Sequence, residues 1–282
     1  MKNKVAKQDF VEQSLPSTRR KQFVDIVKHQ FNCLLNIGAV LLLFTLPLIL
    51  AVLFNDLSFY GIKNNPNFYS EGLLNQKGIA MLNTNELVFG IIKSICYIFI
   101  FFGLGGICKI LRKLIWSEHI ILKRDFLLGL KQNAKNSLLF GVMFALIRFL
   151  ITYCKLFVNN FILASLILGV CVVLFIPIIL IGLVYTSFYE GGFFKTSYHS
   201  LLIYIKKIPY ILILLPFFPI FGLIYLINSF IIKIGVIIIA ILLLVPFILL
   251  LWYEIVVYVL DTTINISYYK NLAFRGLYKK NE

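Results

Sequence analysis

The chain has 282 residues, of which 60% are hydrophobic and only 14% charged, and its formal net charge is +15. Soluble domains are typically about 45–50% apolar and about 25% charged, so this composition predicts an integral membrane protein. The same composition excludes an ordinary soluble enzyme. It also argues against a nucleic-acid-binding domain, despite the basic charge.

Six apolar windows are long enough to cross a bilayer, because a helix needs roughly 20 residues to span about 30 Å of hydrocarbon. These windows are apolar on every face and lack the alternation that is typical of membrane β-barrels. We therefore predict an all-α, polytopic membrane protein. The six predicted transmembrane helices are Phe31–Phe54, Val88–Leu111, Ser137–Cys154, Phe161–Tyr185, Pro209–Leu226 and Ile234–Tyr253.

Most of the 27 lysines and arginines fall on one side of this topology, in residues 1–30, in the second and fourth connections and in the tail. The positive-inside rule then places both termini in the cytoplasm, with anionic lipids of the cell membrane as contacts of that face. We divide the chain into a basic N-terminal arm with an amphipathic helix, a six-span domain and a basic cytoplasmic tail. Their ranges are 1–30, 31–258 and 259–282.

Residues 55–87 form the longest predicted connection on the outer side, and they are rich in asparagine. Long loops are often functional. This loop is therefore either a small cap or a contact for a partner outside the membrane, or else a solvated connector.

Three stretches that precede predicted spans have apolar residues at helical spacing, with lysines between them. The stripes are Phe23, Ile26, Val27 and Phe31; Phe126, Leu127, Leu130 and Ala134; and Phe194, Tyr198, Leu201, Leu202 and Ile205. We predict three repeated units, 17–111, 121–187 and 192–258, each led by a cytoplasmic interfacial amphipathic helix. The alternative is that these stretches are straight extensions of the spans.

Two segments, Gly105–Gly141 and Leu34–Leu50, resemble the YesL-like family of bacterial multipass membrane proteins. The matching motif residues are Arg112, Lys113, Asp125, Phe126, Lys131 and Asn133, together with Asn36, Leu46 and Pro47 of the first span. The chain departs from the family in its longer outer loop and in having Leu48, Ile49 and Leu50 after the proline. The family has no established activity, and the resemblance implies an accessory role beside carbohydrate uptake systems.

Three ionisable residues fall in or beside the predicted spans, where charge is expensive and often marks function. They are Lys93, Arg148 and Glu254. Lys93 and Arg148 are near the outer side and can snorkel to the surface. Glu254 follows an aromatic pair, Trp252 and Tyr253, of the type found at membrane interfaces, so we place it at the inner edge of the last span.

Two further residue types invite a function. Prolines inside four spans bend helices and can line a substrate path; they are Pro47, Pro177, Pro216, Pro219 and Pro246. The five cysteines lie in or beside spans without metal-binding spacing, so we interpret them as apolar residues.

No nucleophile, base or metal-ligand cluster converges at one depth of the predicted bundle. We therefore predict a protein without enzymatic activity or cofactor, acting as an accessory or assembly partner of a membrane system such as solute or carbohydrate uptake. The alternative is a small transporter or channel with a path between proline-bent helices.

Overall fold

The computed structural model describes residues 15–70, 73–158, 160–212, 227 and 229–278. In this part of the chain, five helices are long and apolar enough to cross a membrane, and the all-α prediction is confirmed. They are Phe31–Lys63, Gln76–Ile115, Leu122–Phe157, Ile162–Phe188 and Ile232–Tyr268. Most of the remaining predicted span, Pro209–Leu226, lies outside the described residues.

We number the helices in chain order. The first four are α1 (Arg19–His29), α2 (Phe31–Lys63), α3 (Gln76–Ile115) and α4 (Leu122–Phe157). Next come α5 (Phe161–Val170), α6 (Ile176–Phe188), α7 (Phe193–Lys206) and α8 (Ile208–Leu212). The last three are α9 (Phe230–Ile239), α10 (Val245–Leu260) and α11 (Ile266–Tyr268).

Helices α2 and α3 continue into the predicted outer loop at 55–87 from both sides. Polar residues hold the two helices together there. The Asn85 amide donates to Asn55 Oδ1 at 3.1 Å, and the Ser58 hydroxyl donates to Asn85 Oδ1 at 2.6 Å. Hydropathy marks only the apolar length of a helix, so it does not distinguish this polar extension of the hairpin from a loop.

The remaining connection between α2 and α3 is short and partly ordered. It contains a 3₁₀ turn, Pro66–Phe68, and two antiparallel strands of two residues each, β1 (Tyr69–Ser70) and β2 (Leu73–Leu74). Tyr69 is paired with Leu74 in this hairpin. The Asn75 side chain caps the start of α3 by accepting the Gly78 N–H at 2.8 Å.

Helices α3 and α4 form an antiparallel pair in which small residues allow close approach. A Cβ atom on Gly129 would lie 2.8 Å from the Gly106 carbonyl oxygen, and one on Gly105 would lie 2.7 Å from Ser137 Oγ. Real Cβ contacts are not this short, so both positions require glycine. Close backbone approach at small residues is a common means of helix association in membranes.

The separate interfacial helix predicted at the start of the second unit is wrong, because α4 is one continuous helix from Leu122. The first turns of α4 also bury a different face from the predicted apolar stripe. The buried face consists of Asp125, Gly129 and Asn133, while Leu127 is exposed. The small and polar face fits against the glycines of α3.

The first and third amphipathic stretches are separate helices, α1 and α7. Helix α1 buries Ile26 against the bundle. Helix α7 instead buries Thr196, Ser200, Ile203 and Tyr204, and much of its predicted apolar stripe faces away from the protein. Phe194 is 86% exposed there, and Tyr198 and Ile205 are also exposed.

Two π-helical turns precede prolines in the apolar helices. Cys171–Phe175 lies just before Pro177, and Ala240–Leu244 lies just before Pro246. A proline removes one N–H donor and its ring clashes with the carbonyl four residues earlier. The wider π turn accommodates that defect without ending the helix. A third π turn, Asp261–Asn265, joins α10 to α11.

The core of the described bundle is aliphatic and aromatic and joins α2, α3, α4, α6 and α10. Its fully buried side chains include Ile37, Ile107, Ile110, Leu111, Phe140, Ile179, Ile181, Leu250 and Tyr253. Pro177 and Pro246 are also buried. The two prolines therefore lie in packed interior.

Both ends of the described chain lie at the same end of the bundle. The last helix continues to Tyr268, within the predicted tail at 259–282. The following residues fold back onto α1 and α3. The Gln22 amide donates to the Gly276 carbonyl at 3.1 Å, and the Tyr278 N–H donates to the Pro16 carbonyl at 3.1 Å.

Candidate functional site

Buried polar side chains are concentrated where α1, the end of α3, the start of α4, the α6–α7 turn and the chain end meet. We call this region the basic end. The buried polar residues there are Arg19, Gln22, Lys109, Asp125, Asn133, Ser187, Glu254, Asp261 and Asn265. A buried polar group is unfavourable unless it has a hydrogen-bond partner, so their partners indicate what each one does.

A buried ion pair docks α1 onto the last long helix. Arg19 Nη2 lies 2.7 Å from Asp261 Oδ2, and Arg19 Nη1 donates to Gln22 Oε1 at 2.6 Å. The Asn265 amide donates to Asp261 Oδ1 at 2.8 Å, so the π turn presents both side chains to the same network. The Tyr189 hydroxyl donates to Asn265 Oδ1, and burial raises the pKa of Tyr189 and keeps the phenol neutral.

The chain end is held against the last turn of α3. The Gln22 amide donates to the Ile115 carbonyl at 2.5 Å as well as to Gly276. Gly276 has a φ of +83°, and a Cβ there would lie 2.0 Å from the Ile115 oxygen, so only glycine fits. Arg275 Nη2 lies 2.8 Å from Glu118 Oε1, which adds a more exposed ion pair.

Glu254 lies inside this end of the bundle. It is 4% exposed, and its Oε1 atom has no hydrogen-bond partner among the described residues. The interpretation of Trp252 and Tyr253 as a membrane-interface pair is wrong, because both rings are buried in the core. Helix α10 continues past them, and the Tyr253 hydroxyl shares a 2.5 Å hydrogen bond with Ser187 Oγ.

Lys93 and Arg148 lie on α3 and α4 towards the opposite end, so the structure does not bring them together with Glu254. Arg148 stacks on Tyr97, with its guanidinium carbon 5.7 Å from the ring centroid. Lys93 is half-buried and interacts electrostatically with Asp56. Asp56 also pairs with Lys233 at 2.9 Å, which ties the end of α2 to α9.

Three of the six predicted motif residues, Lys113, Asp125 and Asn133, lie along the contact between α3 and α4. Lys113 Nζ lies 2.8 Å from Asp125 Oδ1, and Asp125 Oδ2 accepts the Ile121 N–H at 2.8 Å. The Asn133 amide donates to the Gly105 carbonyl at 2.9 Å. These contacts fix the turn before α4 and the register between the two helices.

The other motif residues have less uniform surroundings. Phe126 covers Gly106 and lies 5.8 Å from the Phe44 ring, so it joins α4 to α2. Lys131 is exposed on the other side of α4. Arg112 donates to the Ser187 carbonyl and lies 5.0 Å from the Trp116 ring centroid. Arg112 therefore faces α6 rather than the α3–α4 contact.

Two clefts open on either side of the turn between α6 and α7. The larger, which we call the tyrosine cleft, has a volume of about 710 Å³; its polar and aromatic lining includes Tyr185, Tyr189, Lys195, His199, Lys206 and Tyr269. The smaller, which we call the polar cleft, has a volume of about 340 Å³ and is lined in part by Lys109, Arg112, Gln132, Asn136, Thr186 and Glu190. Both lie at the basic end.

Inside the polar cleft the two cations have neutral hydrogen-bond partners. Lys109 Nζ donates to Gln132 Oε1 at 2.6 Å, and Arg112 donates to the Ser187 carbonyl. The Asn136 amide donates to the Gly191 carbonyl at 3.0 Å and so fixes the α6–α7 turn. The lining therefore presents two positively charged side chains whose positions are fixed by hydrogen bonds.

The Arg19, Gln22, Asp261 and Asn265 network was missed from the sequence. Arg19 and Asp261 are 242 positions apart, and nothing in a single sequence pairs them. A weak local signal does exist, since Asp261 and Asn265 are four residues apart and directly follow an apolar run. That spacing places both on one helix face.

Within the described residues, His, Cys, Asp and Glu side chains form no group of three that could hold a metal ion. No protein-family model matches the chain, and neither a curated protein nor a solved structure matches it.

Proposed function

We propose that the protein crosses the cell membrane six times, with both termini in the cytoplasm. The contacts of Gln22 with Gly276 and of Arg19 with Asp261 support an even number of crossings, because they join the two ends of the described chain. Lys233 pairs with Asp56 at the opposite end, whereas α7 lies at the basic end. The positions of α7 and α9 at opposite ends support one more crossing between them, as the apolar window Pro209–Leu226 predicts.

The orientation follows from charge. The basic end contains α1 and α7, and their lysines and arginines are typical of a cytoplasmic face in contact with anionic lipids. The exposed apolar face of α7, with Phe194 and Tyr198, favours a helix that lies in the headgroup plane. Two of the three predicted units begin with a separate amphipathic helix, α1 or α7, whereas the second begins within α4. This supports a repeated unit that lacks the separate helix in its second copy.

We further propose that the protein is an accessory or assembly partner of a membrane system, such as solute or carbohydrate uptake, and not an enzyme. The observation on which this rests is the distribution of polar groups. The described bundle has an aliphatic and aromatic core, while the buried charges and both clefts around the α6–α7 turn lie at one end. That end offers a surface, fixed by hydrogen bonds and ion pairs, to which a partner can bind. The family resemblance implies the same accessory role.

Site-specific photo-crosslinking in cells tests this role. A photoreactive residue at Lys206 or Tyr269, on the wall of the tyrosine cleft, is expected to give one crosslinked product of defined mass. The control position is Leu138, which is exposed on α4 away from the cleft. A smear of products that is the same at the cleft and control positions would contradict a specific partner.

A small transporter or channel is the second candidate, and the π turns before Pro177 and Pro246 favour it. Such turns leave backbone groups without regular helical partners, and interrupted helices line the binding sites of many transporters. Single cysteines introduced along α9 and α10, in a chain without its native cysteines, are to be labelled with a membrane-impermeant thiol reagent. A continuous labelled track on one helix face would favour transport, whereas protection along the whole length would reject it.

A further inference from the structure

We propose that the polar cleft is a binding site for a phosphate-type anion, held between Lys109 and Arg112. The proposal deepens the proposed function, since it rests on the membrane location of the protein. It is independent of any protein partner. The proposal starts from two cations, the buried Lys109 and the half-buried Arg112, neither of which forms an ion pair with a described acidic residue.

Lys109 is only 8% exposed. Five ion pairs occur among the described residues, and neither Lys109 nor Arg112 takes part in them. Asp125 interacts electrostatically with Lys109, but its carboxylate is hydrogen-bonded by Lys113 and by a backbone N–H. The acid in the cleft lining is Glu190, which is exposed. Buried charge is normally paired, so the cleft has a place for an anion.

The charged donors of the cleft belong to the two cations, and both have N–H groups without a partner among the described residues. An ammonium group has three N–H donors, and Lys109 gives one to Gln132. Arg112 Nε is buried and has no hydrogen-bond partner among the described residues. By contrast, the hydroxyl of Thr186 and the amide of Asn136 already donate to backbone carbonyls. Guanidinium and ammonium donors on one cleft are suited to phosphate oxygens.

The size and depth of the cleft point to a lipid headgroup as the source of that phosphate. Its volume of about 340 Å³ is at the small end of the range of about 300–1,000 Å³ for ligand sites. Lys109 and Thr186 lie at the ends of the predicted spans Val88–Leu111 and Phe161–Tyr185, so the proposed topology places the cleft at the level of phospholipid phosphates. A soluble phosphate has the same chemistry, so the experiment has an arm for each source.

The test uses the full chain, purified in detergent and depleted of lipid. In the first arm, native mass spectrometry compares the retention of phosphatidylglycerol with that of phosphatidylcholine. In the second arm, inorganic phosphate is titrated into the protein in phosphatidylcholine nanodiscs, and tryptophan fluorescence is followed because Trp116 contacts Arg112. The variants are Lys109→Gln and Arg112→Gln, with Lys131→Gln as the exposed control.

We expect preferential retention of phosphatidylglycerol, weakened about tenfold by either cleft variant and unchanged by the control. A saturable response to inorganic phosphate without lipid preference would support the same site with a soluble source. The proposal is overturned if the wild-type chain shows neither lipid preference nor phosphate response, or if Lys131→Gln weakens binding as much as Lys109→Gln does.

The absence of both lipid preference and phosphate response is measured on the wild-type chain alone. The proposal can therefore be rejected even if the variants fail to fold. Arg112→Lys, which keeps the charge, is expected to retain most of the binding. The anion-binding test at the polar cleft and the crosslinking test at the tyrosine cleft are independent, so either proposal can fail without the other.

Discussion

The side-chain contacts with the largest expected effect on stability are those between Arg19 and Asp261. The two groups are 7% and 1% exposed, and the carboxylate is also bonded by Asn265. Removing one partner of a buried ion pair leaves the other charge without compensation, which destabilises a protein by about 3–5 kcal/mol. This pair joins the two ends of the described chain, so its loss affects the docking of α1.

We therefore expect Arg19→Gln to lower the free energy of unfolding by about 3 kcal/mol. The measurement is reversible denaturation of the full chain in mixed micelles. Arg20→Gln is the matched control, because Arg20 is the exposed neighbour and surface changes are usually within about 0.5 kcal/mol. Equal effects of the two substitutions would show that the ion pair does not stabilise the fold.

Single residues were the hardest feature to predict from the sequence. Lys113, Asp125 and Asn133 were identified through a motif, and the structure shows them in contact across α3 and α4. Arg19 and Asp261 were not identified, because their pairing depends on tertiary contacts between distant segments. Trp252 and Tyr253 were misassigned, since an aromatic pair at the end of an apolar run has the same sequence in a membrane interface and in a core.

Among the helices, the α3–α4 contact depends on glycine. Alanine has a higher helix propensity than glycine by about 1 kcal/mol, so a Gly→Ala change in a helix is stabilising where space allows. At Gly129 the added Cβ would meet the Gly106 carbonyl oxygen. At Gly61 in α2 it would meet nothing within 4 Å.

These two positions give a matched prediction with opposite signs. Gly129→Ala is expected to destabilise the fold by about 1–3 kcal/mol, because the helices must separate. Gly61→Ala is expected to stabilise it by up to about 1 kcal/mol. Thermal unfolding of both variants in one detergent makes the comparison. If Gly129→Ala is as stable as Gly61→Ala, the close α3–α4 approach is wrong.

Helix α7 gives a second prediction at this scale. Spin labels at Phe194, Tyr198 and Ile205 are expected to be accessible to oxygen in liposomes if this exposed face lies in the bilayer, as we propose. A label at Lys195, which lines the tyrosine cleft, is expected to be accessible to a water-soluble nickel reagent. A uniform aqueous pattern at all four positions would mean that α7 does not lie on the membrane.

The existence of the helices could be predicted from apolar windows, but their lengths could not. Helix α3 has 40 residues and is about 60 Å long at helical rise, roughly twice the thickness of the hydrocarbon layer. Its ends are polar and are fixed by contacts such as that between Asn55 and Asn85. The apolar stripe at the start of α4 does not identify the buried face of this helix. The face that contains Gly129 packs more closely on α3 than the leucines could.

For the whole molecule, we propose that the chain crosses the membrane an even number of times and that its two described ends meet at the basic end. The net charge of +15 is consistent with this arrangement, because most of the basic residues fall on the side where the ends meet. Five crossings would place the ends on opposite faces, and the contacts of Gln22 with Gly276 could not form.

Labelling of single cysteines in cells tests this claim most directly. In a chain without its native cysteines, we place one cysteine at Ser17, at Lys270 or at Asn64 in the α2–α3 connection, and we treat cells with a membrane-impermeant thiol reagent. We expect Asn64→Cys to be labelled in intact cells, whereas Ser17→Cys and Lys270→Cys are labelled only after permeabilisation. Labelling of Ser17→Cys and Lys270→Cys from opposite sides of the membrane would contradict it.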